Sequence, residues 1–353
     1  MFHLARDKCY LSMATTFDIS PEWRASQLYF YYRQLFITPR LVSRHDADLS
    51  GKTAIVTGSN TGLGLEIARQ LLDLGCEVIL AVRDEAKGER ARQELVSGRH
   101  IPHKLVQVWK LDMLSYESIM AFVGRTESLQ HLDIAILNAG VHKGTESFTS
   151  NGYEEGFQVN YLSTMLLTML LLPTIKRKRA GSSSGQICLL SSDMAAWSRF
   201  EERNTTPLLS AFKQKMPKWD LTDRYSTTKL LGQLFLSELS KHLSPSEVTV
   251  SCANPGLCGD SEISREFQGA LRFAFNIYAF LFSRTCSVGA RTIVHAVTTL
   301  GDQAHGQYIE DAKIQPMVPI VYKSEGLRLA KQLYEETLDE LSFAGVRDII
   351  NEI

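Results

Sequence analysis

The chain has no cysteine pair spaced C-x-x-C and no histidine placed beside cysteine at ligand spacing, so neither a structural zinc site nor a disulfide framework is expected. Its six cysteines, Cys9, Cys76, Cys188, Cys252, Cys258 and Cys286, are scattered. Cys76, Cys188 and Cys252 fall in or beside apolar strands and read as buried free thiols of a reducing compartment. Net charge is scarce as well: 38 basic and 39 acidic residues leave −1, so no global field favours nucleic acid or an anionic membrane. The one basic cluster, Lys176-Arg177-Lys178-Arg179, closes an apolar helix and reads as a cationic last turn. The longest apolar runs, Tyr161 to Ile175 and Ala270 to Phe282, fall short of the roughly 20 residues of a membrane span. No secretory pattern opens the chain. A cytoplasmic protein without transmembrane segment is expected, with peripheral membrane contact left open. Glycine is missing from residues 1–48, which read as an N-terminal arm packing on the domain. Its aromatic stretch Leu28 to Ile37 reads either as a helix covering the domain or as a membrane or partner contact.

Present instead is a strand, a glycine turn and a helix. Thr53-Ala54-Ile55-Val56 is a short β-branched run, Leu65 to Leu72 has helical spacing, and Thr57-Gly58-Ser59-Asn60-Thr61-Gly62-Leu63-Gly64 lies between them. Gly58 can take angles closed to other residues. Gly62 and Gly64 remove side chains, so a pyrophosphate can reach the free N–H groups and dipole of the helix start. Strands and helices then alternate: strands at Glu77 to Val82, Leu105 to Leu111, Asp133 to Leu137, Gln186 to Leu190 and Val248 to Cys252, and helices at Glu85 to Val96, Ser115 to Leu129, about 151 to 178 and about 223 to 242. Such alternation predicts an α/β protein, a Rossmann-type doubly wound parallel sheet with helices on both faces, in one domain over 49–353. Ligands bind beyond the carboxyl ends of such strands. Those ends hold Arg83-Asp84, Asp112, Asn138-Ala139-Gly140, Ser191-Ser192 and Asn254-Pro255-Gly256.

Tyr225 and Lys229, four apart, share one helix face, where an ammonium favours a phenolate and suits the phenol to proton exchange with a substrate oxygen. Taken with the glycine turn, Asn138-Ala139-Gly140, Ser192, Asn160 and Asn254-Pro255-Gly256 in this order, the chain resembles the short-chain dehydrogenase/reductase family from about Gly51 onward. Within that family it looks most like the retinol-dehydrogenase-like branch and the reductases of fungal secondary metabolism. The resemblance implies that Tyr225 is the general acid/base and that Lys229 lowers its pKa and holds the nicotinamide ribose. It implies that Ser192 polarises the substrate carbonyl and that Asn160 holds a water linking Lys229 to solvent. It assigns cofactor contacts to Gly58, Asn60, Thr61, Gly62, Leu63, Gly64, Arg83, Asp112 (adenine), Asn138, Ala139, Gly140, Tyr225, Lys229, Pro255 and Gly256. Ser191 reads as a strand residue. Arg83 resembles the A-x-R-D pattern of NADP(H)-preferring members and would pair with a 2′-phosphate; the competing reading gives Asp84 the ribose of NAD.

Three features set the chain apart. The insertion Asp193 to Arg224, with Trp197, Phe200, Phe212, Met216 and Trp219, is expected either to wall the site for a bulky apolar substrate or to pack on neighbouring helices. Where the family grips the carboxamide with a hydroxyl, this chain has Asp260, then Ser261. Glu262 to Phe282 reads as a substrate lid or a membrane-facing helix, so lid segments are expected near 193–222 and 261–283. The expected activity is NADP(H)-dependent reduction of a ketone or aldehyde, or oxidation of a secondary alcohol, of a sizeable lipophilic molecule such as a polyketide or terpenoid. Redox-neutral isomerisation, epimerisation or dehydration, and non-catalytic NADPH binding, are the alternatives. By resemblance the two long helices would form a dimer or tetramer interface, unless the aromatic arm caps it and leaves a monomer.

Overall fold

The computed structural model describes residues 17–99 and 101–353; Cys9 and residues 1–16 of the arm lie outside the described residues. Eight strands form one sheet in the order β3-β2-β1-β4-β5-β6-β7-β8. They are β1 Thr53–Thr57, β2 Glu77–Val82, β3 Val106–Lys110, β4 Ile134–Leu137, β5 Gly185–Leu190, β6 Val248–Asn254, β7 Tyr308–Glu310 and β8 Lys313–Gln315. β1 to β7 run parallel, and β8 turns back antiparallel on β7. Ile55 aligns with Ile79 on one side and Ala135 on the other, so strand order reverses between β1 and β4.

β1, β2 and β4 are near-continuous apolar runs because both faces are covered. Ile55, Ile79, Ala135 and Ile187 join the core on one face, while Ala54, Val56, Val78, Ile136 and Cys188 join that on the other. The helices are α1 Gln27–Phe36, α2 Gly62–Asp73, α3 Glu85–Val96, α4 Tyr116–Thr126, α5 Ser163–Lys178, α6 Leu221–Leu239, α7 Gly269–Phe282, α8 Cys286–Val297, α9 Ser324–Glu340 and α10 Val346–Glu352. α5 is preceded by a helical turn at Glu155–Phe157 and a π-helical segment at Gln158–Leu162. The joined helix Glu155–Lys178 is long and apolar enough to cross a membrane, which the shorter run in the sequence did not suggest; 89% of its apolar window is buried, so it is a core helix. The basic cluster at its end is committed locally: Lys178 donates to the Glu127 and Leu129 carbonyls and Arg177 pairs with Glu127.

The alternative in which the aromatic arm caps the two long helices does not hold. α9 and α10 cover them instead. The Tyr161 hydroxyl bonds Thr337 Oγ1 at 2.7 Å, the Phe235 and Tyr334 rings lie 5.3 Å apart, and Lys176 donates to the Ile353 carbonyl. The arm runs to the carboxyl end of the sheet and is fixed there by buried charge. Arg33 reaches Asp311 at 2.8 Å, Asp193 at 2.5 Å and Glu310 at 3.1 Å, while Arg24 pairs with Glu310 at 3.1 Å and Arg284 with Asp311 at 2.6 Å. Burial opposes ionisation of Glu310, yet Arg24 and Arg33 hold its carboxyl down at about 2. Gln34 Nε2 donates to the Leu257 and Phe282 carbonyls and so ties α1 to the segment after β6 and to α7.

Candidate active site

The glycine turn lies where strand order reverses. Gly58 has φ +63°, and a Cβ there would stand 3.0 Å from the Ala139 Cα. A Cβ on Gly64 would stand 2.5 Å from the Gly58 carbonyl oxygen and 2.6 Å from Asn138 Nδ2. The third glycine is therefore required for α2 to seat on the turn. Asn138 Nδ2 donates to the Thr57 carbonyl at 2.8 Å and the Gly58 carbonyl at 3.2 Å, and Thr57 Oγ1 accepts from the Ala139 N–H. The N-A-G segment thus braces the turn from β4.

A cavity of about 830 Å³ opens over these strand ends. Its wall includes Gly58, Asn60, Thr61, Gly62, Leu63, Gly64, Arg83, Asp112, Asn138, Ala139, Gly140, Ser192, Tyr225, Lys229, Pro255 and Gly256. The structure brings all of these together. Asn160 is set apart: it lies behind the wall, beside a space of about 10 Å³ that Tyr225 and Thr228 also line. Its side chain accepts from the Val141 N–H at 2.8 Å and donates to the Val141 carbonyl and Thr228 Oγ1. Both Nδ2 hydrogens of Asn160 are thus taken, while Oδ1 keeps a second lone pair that can accept from a water.

At the rim of β2 the two competing residues are distinguished by their partners. Arg83, Asp84 and Lys87 are all exposed on the cavity wall; Asp84 Oδ1 accepts from the Lys87 N–H at 3.1 Å and caps α3, while Arg83 and Lys87 form no ion pair among the described residues. Lys87 was not singled out from the sequence, although its place one helical turn after Arg83 carried the signal. Asp112 Oδ1 accepts from the Leu114 N–H and closes its own turn.

Ser192 caps the turn Asp193–Trp197 by accepting from the Met194 N–H at 3.2 Å, and its hydroxyl hydrogen-bonds Tyr225. Ser191 accepts from Gln233 Nε2 at 2.9 Å and is buried at the base of the same cavity wall. Burial lifts the Tyr225 phenol to about 12, with the Ser192 hydrogen bond acting in the other direction. Burial likewise pulls the Lys229 amine down to about 8, and its Nζ donates to the Leu190 carbonyl at 2.8 Å. Lys229 Nζ stands 5.6 Å from the Tyr225 ring centroid and is directed at a carbonyl, and desolvation is the largest influence on both groups.

The insertion after Ser192 divides between the two readings of it. Phe200 and Phe212 are buried in the core, Phe212 stacked 4.0 Å from Phe157, and Trp219 donates to the Gly144 carbonyl. Trp197 alone among the five lines the cavity, edge-on to Phe30 of the arm at 5.4 Å. From the lid side come Phe267, Phe275 and Tyr278. The opposite face of α7 is bare, with Phe280 88% exposed. Asp260 accepts from the Cys286 N–H at 2.7 Å at the start of α8, while Ser261 lines the cavity. His142 is, with Lys87, a site residue that the sequence reading missed. It follows Gly140 by two places, and its ring stacks 4.6 Å from that of Tyr225.

The short chain dehydrogenase family model matches residues 52–202, ending inside the insertion that precedes Tyr225. The relatives run further. The short-chain dehydrogenase fogG of Aspergillus ruber is 55% identical over 97% of this chain and 99% of its own. The short chain dehydrogenase/reductase mfmJ of Annulohypoxylon moriforme is 42% identical over 92% and 94%. The short chain dehydrogenase virL of Hypocrea virens is 36% identical over 97% and 99%. Among solved structures, an uncharacterized protein of Mycobacterium paratuberculosis superposes with a TM-score of 0.62 at 22% identity, covering 86% of this chain and 98% of that one. The RhlG/NADP complex of Pseudomonas aeruginosa superposes with a TM-score of 0.57 at 21% identity, covering 75% and 96%. The structures speak to the fold and the relatives to descent: the chain belongs to the short-chain dehydrogenase/reductase family.

Proposed function

We propose that this protein is an NADP(H)-dependent oxidoreductase that interconverts a ketone or aldehyde with its alcohol on a sizeable lipophilic substrate, of the kind handled in fungal secondary metabolism. The observation that carries the reading is that the Tyr225 phenol, the Ser192 hydroxyl and the Lys229 amine share one cavity wall with the glycine turn. The cofactor fits the residues present. The cradle at Gly58 and Gly64 has no room for a Cβ, and Arg83 and Lys87 offer cations without internal partners where a 2′-phosphate would lie. Asp84, the residue that would favour NAD, is engaged in capping.

When bound, the nicotinamide would supply or accept the hydride. The main chain of Thr61 to Leu63 at the start of α2 would hold the pyrophosphate, and Arg83 with Lys87 the 2′-phosphate. Ser192 donates a hydrogen bond to the substrate oxygen. Tyr225, protonated across neutral pH because its phenol is lifted to about 12, delivers a proton to that oxygen as it becomes an alkoxide. The ammonium of Lys229 stabilises the phenolate left behind. Asn160 acts at one remove, fixing the Val141 main chain beneath the cavity floor.

The test is NADPH consumption at 340 nm by purified protein with lipophilic carbonyl compounds from its own producing cells. Consumption matched by alcohol formation supports the reading. Product formed without net NADPH loss replaces it with a redox-neutral reaction on the same site, and NADPH binding with no turnover of any kind replaces it with a binder.

A further inference from the structure

His142 stands against the phenol assigned the proton transfer. Its ring lies 4.6 Å from the Tyr225 ring at 23°, and Phe267 of the lid packs edge-on against its other side at 5.0 Å. His142 Nε2 lies 3.1 Å from the Leu221 carbonyl oxygen. A carbonyl only accepts, so Nε2 carries the proton and Nδ1 keeps a lone pair. Burial draws the imidazole down to about 4, which keeps it neutral near neutrality; Leu221 and Glu266 act against that shift without reversing it. Nδ1 has no partner among the described residues, and it is absent from the buried polar atoms left unsatisfied. His142 lines the cavity, so Nδ1 is the polar atom that it can offer to a ligand there.

The surroundings are apolar and flat. Phe30 of the arm, Trp197 of the insertion and Phe267 and Tyr278 of the lid segment line the same cavity. Asp193 on the wall and Glu310 and Asp311 behind it are matched by the three guanidinium groups of Arg24, Arg33 and Arg284. Lys143, next in sequence to His142, is paired with Glu155 and Glu266. A hydrogen-bond donor on a substrate ring held between these aromatics would therefore meet a neutral acceptor, one ring-stack from the group that protonates the carbonyl.

We infer that His142 is a specificity-determining residue whose Nδ1 accepts a hydrogen bond from a hydroxyl on the substrate, and that the substrate class is a hydroxylated aromatic carbonyl compound or its alcohol. This rests on the reading of Tyr225 as the proton donor. A site built to accept from a substrate hydroxyl discriminates against the analogue that lacks one, because the acceptor is then left unpaired. His142→Phe keeps a stacking ring and removes the acceptor, and His142→Asn returns an acceptor without the ring.

The probes are 2-hydroxy-1-naphthaldehyde and 4-hydroxy-1-naphthaldehyde, each against its methyl ether, with NADPH. In the unaltered protein at least one hydroxy probe should have a kcat/KM about tenfold or more above that of its ether. His142→Phe should abolish that ratio with NADPH affinity unchanged, and His142→Asn should restore part of it. Equal kcat/KM for hydroxy and methoxy probes, or a ratio that survives His142→Phe, overturns the inference. Tyr225→Phe separates the two levels: if it leaves turnover of both probes intact, the assigned proton donor is wrong, whereas if it stops both while the ratio ignores His142, only the present inference fails.

Discussion

At the scale of single residues, the division of labour is set by which groups have partners inside the fold. Tyr225 keeps its proton because burial outweighs the Ser192 hydrogen bond. Tyr225→Phe should therefore lower kcat by about 10²–10⁴-fold while NADPH affinity, read by its fluorescence, changes by less than about twofold. Lys229 gives a pH dependence whose sign follows from its own shift. Its folded pKa is lowered from 10.5 to about 8, so the ammonium is half lost at about pH 8 and disappears as pH rises further. For reduction, kcat/KM for NADPH should fall above about pH 8, because that ratio reports the free protein. Lys229→Arg, whose guanidinium stays charged, should move the falling limb beyond pH 10 at reduced kcat; an unmoved limb would assign it to another group. Arg83→Ala should raise KM for NADPH by roughly 10- to 100-fold, the loss of one charge-assisted contact, and leave KM for NADH nearly unchanged. Equal effects on both cofactors would return the choice to Asp84.

At the scale of elements, the arm is held to the sheet by matched buried charge, and this was the least legible part of the sequence. Arg33 looks like a surface charge on an aromatic helix and Arg24 like one in the short turn Pro21–Arg24 before it, and their partners Asp193, Glu310 and Asp311 lie more than 150 residues away in sequence. β7 and β8, three residues each, have no apolar run to mark them. By contrast β1, β2, β4 and the glycine turn could be read directly, because a strand buried on both faces is a near-continuous apolar run and a turn without room for Cβ must be glycine. Arg33→Leu would leave three carboxylates short of a cation, and should cost about 3–5 kcal/mol in urea or thermal unfolding. The acid side adds a sign. Glu310 is lowered from 4.5 to about 2, so its share of stability is whole above about pH 4.5 and is lost as pH falls toward 2. Arg33→Leu should raise the pH of acid unfolding; an unchanged acid transition would mean that Arg24 alone holds Glu310.

At the scale of the whole molecule, the disposition of helices bears on assembly. By family resemblance α5 and α6 would pair across a subunit interface, but here both are wrapped by the chain's own C-terminal helices. Leu329, Leu333, Tyr334 and Leu338 of α9 are buried in the same core as Leu166, Leu231 and Phe235, and α10 adds Val346. An apolar face already covered has no further surface to remove from water, so association through it would first require α9 to lift, exposing several large side chains at roughly 1.5–3 kcal/mol each. The bare apolar residues lie elsewhere, on the outer faces of α1 and α7, among them Leu28, Phe36, Phe273 and Phe280. Light scattering at micromolar concentration should therefore give no dimer held through α5 and α6, and amide exchange along these helices should not change with concentration. A dimer that protects them further would mean that α9 and α10 are displaced in solution. Phe36→Ser with Phe280→Ser should leave that exchange pattern untouched, since neither side chain reaches the α5 and α6 core.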